Sequence, residues 1–376
     1  MSLLLVLLVI SSTTGVAMEI KPIMAKERVE LHKDISIIKV DPALKNLTPY
    51  WVIIAAGSME NGKSAIFKYI DSSKTLTKDE KLKLKKFVKE LGKKYPVKII
   101  KKGRVTLITL AKYRKLTEEE KAMLRKVAQA VNEYFRTKYD GEVGILWNAD
   151  IHQDIIYISC KKWGVSDYYA GIARDHADDP DQWYQVSPPP GYPDWMWEFI
   201  MQVVWSWTHY YNPSYCLPNG ICVPTGAAPS ECKKYADIAR DKYLSGDKDS
   251  AYENLGYASH FLTDVGNPLH TGAELRQVTF EWIHHAYENY VSANWNSGYK
   301  FKSIVEDNWY YYPINDPEQA TKDLAEYSHN YVETLFWTIF LNPDTWQSDS
   351  TVKQITENCL LETAKYALGL VKYVRG

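Results

Sequence analysis

The chain predicts two unlike parts: a small basic α+β unit over residues 18–146 and an all-α domain over residues 147–376. Three observations lead there. Residues 18–146 carry 29 Lys and Arg against 16 Asp and Glu, a net +13, whereas the remainder carries 16 against 30, a net −14. An overall charge of −1 therefore conceals a fusion of opposite halves. Of the 13 Trp, only Trp51 precedes residue 147. The apolar spacing changes at the same place: short β-rich runs alternate with amphipathic stretches before it, and three-and-four periodicity dominates after it. A chain of 376 residues can bury a sizeable core in two or three such units.

The first ten residues, Met1-Ser-Leu-Leu-Leu-Val-Leu-Leu-Val-Ile10, are apolar but shorter than the roughly 20 residues a membrane span needs. Small residues follow at Gly15 and Ala17, so residues 1–17 are expected to be a signal peptide cleaved after Ala17 and the protein to be secreted. An uncleaved short anchor is the alternative, since no Lys or Arg precedes the run; both place the protein outside the cytoplasm.

Within residues 18–146, Trp51–Ala55, Val97–Ile100 and Val105–Leu110 are expected to be strands. Thr77-Lys-Asp-Glu80 and Thr117-Glu-Glu-Glu120 have the form of helix N-caps with acids in the first turn, and the helices should run to about Leu91 and Tyr139. The Lys residues from Lys81 to Lys89 alternate with apolar ones at helical spacing, which makes them a solvated helix face rather than a nucleic-acid patch. Gly57 to Ser64 ends in Gly-Lys-Ser but lacks the glycine spacing of a phosphate loop.

After Trp147, helices are expected over His152–Gly164, Asp194–Trp207, Glu231–Ser245, Lys248–Asp264, Glu274–Asn294, Pro317–Phe340 and Thr351–Val374. Pro- and Tyr-rich loops such as Ser187-Pro-Pro-Pro-Gly-Tyr192 separate them. All five Cys, at 160, 216, 222, 232 and 359, lie here. Cys216 and Cys222 bracket a turn and suit a small disulfide loop in an oxidising compartment, with Cys222–Cys232 the competing pairing. None has the C-x-x-C spacing of a metal site, so the thiols read as structural.

The chemistry is concentrated in His260-x3-Asp264-x5-His270-x13-His284-x3-Glu288. Imidazole nitrogen and carboxylate oxygen are the ligands Zn²⁺ prefers. His260 and Asp264, like His284 and Glu288, are four apart, so on a helix each pair projects from one face. Gly266-Asn267-Pro268 should break the helix and let His270 swing back toward the first pair. A single His-x3-acid pair is usually a solvated helix face; two such pairs joined by a third His across a helix break are not a common accident.

These residues carry a resemblance. The stretch from Lys248 to His270, followed by His284-His-Ala-Tyr-Glu-Asn-Tyr-Val291, resembles the bacterial zinc-dependent phospholipase C family, which is related to the single-strand-specific zinc nucleases. The resemblance covers residues 147–295 in detail, extends to 376, and does not include 1–146. Further family positions are matched by His209 in Thr-His-Tyr-Tyr-Asn-Pro213, by Asp181 in Asp179-Pro-Asp181, and by Trp147 and His152 in Trp147-Asn-Ala-Asp-Ile-His152. Asp178 and Asp179 are alternatives to Asp181. His285 rivals His284 but sits about 100° round the helix with no acid four residues on. His32, His176 and His329 are left as packing or surface residues.

The resemblance implies an all-α catalytic domain with three zinc ions and a basic pro-domain in front of it. One ion would take Asp181, His209, His260 and Asp264; a second His270, His284 and Glu288; a third His152, a shared Asp264 and the main chain of Trp147. In that family the Trp is the mature N-terminus, whose free amine binds zinc, so a processing protease would have to cut after Leu146. The positive pro-domain would dock on the acidic enzyme by charge and cover its site. Asp181 would orient a nucleophilic water or act as general base. The implied substrate is a phospholipid at a membrane surface, with no nucleic acid and a monomeric enzyme. Asp150, Trp183, Tyr184 and Trp207 are candidates to receive the head group, by charge or cation–π contact. The short Trp147–His152 spacing is that of the nucleases, which keeps a zinc-dependent single-strand nuclease open. A non-enzymatic binding module with structural zinc is the third possibility.

Overall fold

The computed structural model describes residues 21–25, 35–41, 50–110, 115–139, 149–183, 204, 207–216, 222–272 and 280–376. The signal-peptide expectation, Trp147 and Tyr184 lie outside these residues, as does most of the expected helix Asp194–Trp207. The described chain is mostly helical, with three small sheets.

In the N-terminal part, the helices Glu60–Ser72, Lys78–Lys94 and Glu118–Tyr139 accompany a three-stranded sheet. Its central strand Val105–Leu110 pairs parallel with Ile37–Val40 and antiparallel with Val97–Lys102. Both expected caps form. Thr77 accepts from the Glu80 amide while Glu80 accepts from the Thr77 amide, and Thr117 and Glu120 repeat the exchange. Trp51–Gly57 is a helix, not the expected strand, and every residue in it is buried. An apolar run that faces protein on all sides has no periodicity to betray its conformation. The Gly-Lys-Ser stretch lies inside the helix Glu60–Ser72, so no phosphate loop exists there.

In the C-terminal part, Lys248–Asp264 is the central helix, with the bounds its pattern predicts. It packs on Ala228–Leu244, Asp167–Asp175 and the long Ser350–Arg375. One expected helix, Pro317–Phe340, divides into Pro317–His329 and Val332–Leu341. Asn212–Cys216 and Cys222–Thr225 form a two-stranded ribbon whose register sets Cys216 opposite Cys222. Cys222 is disulfide-bonded, while Cys232 is free and buried, which removes the Cys222–Cys232 pairing. Among the described residues no helix is long and apolar enough to cross a membrane.

The two parts share one hydrophobic core. Trp51 meets Trp337 edge-on at 5.9 Å, Tyr69 meets Phe340 at 5.5 Å, and Tyr139 lies 6.2 Å from Trp346, whose Nε1 donates to the Tyr139 hydroxyl at 3.1 Å. The Ile38 amide donates to Thr334 Oγ1 at 2.8 Å, and Ile23–Met24 lies parallel to Tyr310–Tyr311 as a paired strand. Charge contributes at the edge, where Lys68 and Lys138 both reach Asp344. The charge split predicts an ionic seam; this seam is mainly aromatic.

Candidate metal centre

Eight of the predicted ligands converge, and all are buried: His152, Asp181, His209, His260, Asp264, His270, His284 and Glu288. The central helix supplies His260 and Asp264 from its last turn. Its end abuts the long C-terminal helix so closely that a Cβ on Gly266 would lie 2.1 Å from Thr363 Oγ1. Asn267 then caps the short 3-10 turn Pro268–His270, accepting from the Leu269 amide at 3.0 Å, and this turn delivers His270 to the cluster. Glu281–Ala293 presents His284 and Glu288 one above the other, with His284 Nε2 2.7 Å from Glu288 Oε1.

Three groups of ligand atoms can hold a metal ion: His152, Asp181 and His260; His209, His260 and Asp264; and His270, His284 and Glu288. His260 Nε2 is 3.4 Å from Asp181 Oδ1, 3.4 Å from Asp264 Oδ2 and 3.0 Å from His209 Nδ1. A tetrahedral ion with bonds of about 2.0–2.2 Å spaces its ligands by roughly 3.3–3.6 Å, so the two 3.4 Å separations suit one ion and the His209 contact falls just short of that spacing. Asp264 divides its carboxylate: Oδ2 is 2.8 Å from His209 Nδ1, while Oδ1 faces His152 Nε2 at 3.7 Å and His270 Nδ1 at 3.6 Å. One residue thus addresses two sets of imidazoles.

The rings are aimed by partners that the sequence did not reveal. His260 Nδ1 donates to the Ala177 carbonyl at 2.7 Å and His270 Nδ1 to the His209 carbonyl at 3.1 Å. His152 Nδ1 bonds Thr263 Oγ1, whose own hydrogen goes to the Ser259 and His260 carbonyls at 2.9 and 3.0 Å, so the imidazole must be the donor. With Nδ1 engaged as donor, each of these rings turns its Nε2 inward, the nitrogen a metal takes once any proton there is displaced. His209 and His270 are also stitched together, because the Tyr211 amide donates back to the His270 carbonyl at 3.1 Å. The only sequence trace of this layer is Thr263, lying between His260 and Asp264, and Asn267, read as a helix breaker but also donating to Glu288 Oε1 at 3.3 Å.

The carboxylates test the fit. Both oxygens of Asp181 and the Oε2 of Glu288 are buried and accept no hydrogen bond among the described residues. Burying such a group unsatisfied costs several kcal/mol, and a cation in the cluster removes that cost. The titration behaviour agrees. Burial pushes the His152 imidazole down to about 3, with the charge of His260 adding to the effect. Burial opposes charge on His260 too, but Asp264 and Asp181 more than offset it and raise that ring to about 10. Burial likewise works against ionisation of Asp264, yet His260, His209 and His270 hold it well below the usual carboxylate range. The cluster attracts positive charge.

The remaining candidates sort by position. Asp179 pairs with His176 Nδ1 at 2.6 Å, and Asp181, rather than Asp178 or Asp179, is the acid grouped with the cluster's imidazoles. His285 is partly exposed and 3.8 Å from Glu288 Oε2, while His284 points inward. Trp183 packs against Tyr235, Tyr257 and Phe261 at 5.2, 5.0 and 6.1 Å, forming part of an aromatic wall behind His209. Trp207 and Asp150 are exposed.

No protein-family model and no curated protein matches the chain. Among solved structures it is similar to the alpha-toxin of Clostridium perfringens, isolated from avian strain SWCP, at 15% identity and a TM-score of 0.28, over 55% of this chain and 63% of that one. This chain thus spans under two thirds of the toxin's length.

Proposed function

We propose that the protein is a secreted zinc-dependent phosphodiester hydrolase of phospholipase C type, made as a zymogen that is activated by cleavage before Trp147. The observation that carries the reading is the split carboxylate of Asp264 between two inward-facing sets of imidazoles, with both oxygens of Asp181 unsatisfied beside them. Asp181, His209, His260 and Asp264 would hold one ion, and His270, His284 and Glu288 a second. His152 and Asp264, with the main chain of a newly freed Trp147, would hold a third. Bound zinc supplies Lewis-acid polarisation of the phosphate and lowers the pKa of water to about 7.

The chain's own residues do the rest. Asp181, on the short helix Asp179–Gln182, has lone pairs free to orient an attacking water or take its proton. Among the described residues only His270, His284 and Glu288 make up this set, which would leave a coordination position for substrate where a structural zinc takes a fourth side chain. Paired assays of phosphatidylcholine and single-stranded DNA, each with and without chelator, test the reading. Chelator-sensitive release of the phosphorylated head group supports it. Hydrolysis of DNA alone would make the protein a nuclease, the reading that the Trp147–His152 spacing favours, and turnover of neither with zinc fully loaded would make it a binding module.

A further inference from the structure

We infer that cleavage before Trp147 does not release residues 18–146: the segment stays bound as the second chain of the working enzyme. This rests on the reading of Trp147 as a new N-terminus, and it changes what activation means. A conventional pro-region leaves; this one is built into the core.

The seam carries the inference. Trp51, Tyr69, Phe135 and Tyr139 on one side and Trp337, Phe340 and Trp346 on the other are all buried, and they belong to a single hydrophobic cluster. The helix Val332–Leu341 packs on both the strand Ile37–Val40 and the helix Glu60–Ser72, and Glu281–Ala293, which carries His284 and Glu288, packs on Glu118–Tyr139. Departure of the N-terminal segment would bare these rings together, a continuous apolar surface that soluble proteins do not leave open. Interfaces of this composition, a domain core divided between two chains, are those of permanent complexes.

Polar contacts fix the register. Lys138 Nζ donates to the Pro343 carbonyl at 2.7 Å, the Tyr134 hydroxyl to Asp344 at 2.8 Å, and the Ile23 amide to the Trp309 carbonyl at 2.7 Å. The opposite charges of the two segments, +13 and −14, add long-range attraction. The N-terminal segment also buttresses the helix bearing two predicted ligands, where Arg136 lies over the Trp282 ring at 5.7 Å. Its retention would keep that helix in place after the cut.

The experiment uses the full chain with a site-specific protease sequence in place of residues 141–146, so that cutting leaves Trp147 first. Cut and uncut protein are compared by size-exclusion chromatography with zinc present, and fractions are resolved on denaturing gels. Both fragments are expected in one peak at the uncut elution volume, still together after dilution to about 10 nM, as for permanent complexes. Recovery of the 18–146 fragment in any fraction lacking the other, including the supernatant above an aggregate, overturns the inference. Zinc content of the same samples separates the two ideas. Co-elution without gain of a zinc equivalent on cutting sinks the free-amine reading and leaves retention standing. Gain of zinc with separated fragments does the reverse.

Discussion

His260 is held by a main-chain atom from the turn that follows the helix Asp167–Asp175: its Nδ1 donates to the carbonyl of Ala177 at 2.7 Å. Ala177 sits where it does because the helix Asp167–Asp175 comes unusually close to the central helix at Gly256. A Cβ on Gly256 would lie 2.5 Å from the Ala173 carbonyl and 3.2 Å from the Ala177 nitrogen. The tightest contacts there are to main-chain atoms, which cannot swing aside.

Gly256→Ala should therefore weaken zinc binding although it touches no ligand. Lifting the Asp167–Asp175 helix would move Ala177 and, four residues on, Asp181. The expected cost is about 1–3 kcal/mol of stability from overpacking and roughly 10–100-fold in affinity for the ions held by His260 and Asp181. Thermal melts and competition with a zinc-sensitive dye measure both; unchanged zinc affinity would show that the Ala177 contact does not position the ring.

Thr263→Val removes the hydroxyl that accepts from His152 while keeping the shape of the side chain. A loss of about 10–100-fold in affinity at the site using His152 is expected, with the other ions retained. Thr263→Ser should restore binding. Equilibrium dialysis with metal analysis distinguishes the three forms.

Ligand substitutions should differ in stoichiometry. Asp264→Asn should lower the zinc content at more than one position, because its two oxygens face different imidazoles. Glu288→Gln should lower it at one position only, and chelation of the unsubstituted protein should abolish hydrolysis until zinc is returned. Equal losses in the two variants would argue against a shared carboxylate.

Zinc uptake should depend on pH in a defined direction. In the metal-free protein His260, raised to about 10, carries a proton at neutral pH that an incoming ion must displace. Affinity should rise with pH up to about 10, and uptake at pH 7 should release protons into a weakly buffered indicator solution. The same raised pKa gives the metal-free form a stabilising contribution that is complete below about 6.5 and lost as pH climbs toward 10. His152 does not interfere in that window, since its folded value near 3 and its ordinary value of 6.5 both lie below it. Melts of metal-free protein from pH 6.5 to 10 should therefore fall more steeply than those of loaded protein.

The thiols give an independent check on the ribbon. Burial pushes Cys160 and Cys232 up to about 12 and raises Cys359 as well, so none should react with an alkylating reagent in the native state. Three alkylated Cys after denaturation without reductant, and five after reduction, are expected. Label on Cys222 before reduction would contradict the disulfide.

How much of this was legible in the sequence follows from what each feature asks of its residues. The pairs His260 with Asp264 and His284 with Glu288 were legible because an i, i+4 pair on a helix is a spacing, and Lys248–Asp264 kept its expected bounds for the same reason; His152, Asp181 and His209 were reached only through a family resemblance. Trp51–Gly57 was not, since burial on every side erases the pattern that separates helix from strand. The aiming contacts were invisible too: a main-chain carbonyl such as that of Ala177 has no letter in a sequence. The aromatic seam was hidden behind a charge split, because surface charge is abundant and countable whereas a buried ring looks like any other core residue.

The exchange of hydrogen bonds between His209 and His270 carries one more consequence. His270 Nδ1 donates to the His209 carbonyl, and the segment after His209 donates to the carbonyl of His270. Each residue belongs to a different ligand set. An ion that fixes one of them removes conformational freedom from the other, so the second ion meets a partner already ordered. Loading should be positively cooperative, and by thermodynamic reciprocity the loss of either ion should weaken the affinity for its neighbour by the same factor.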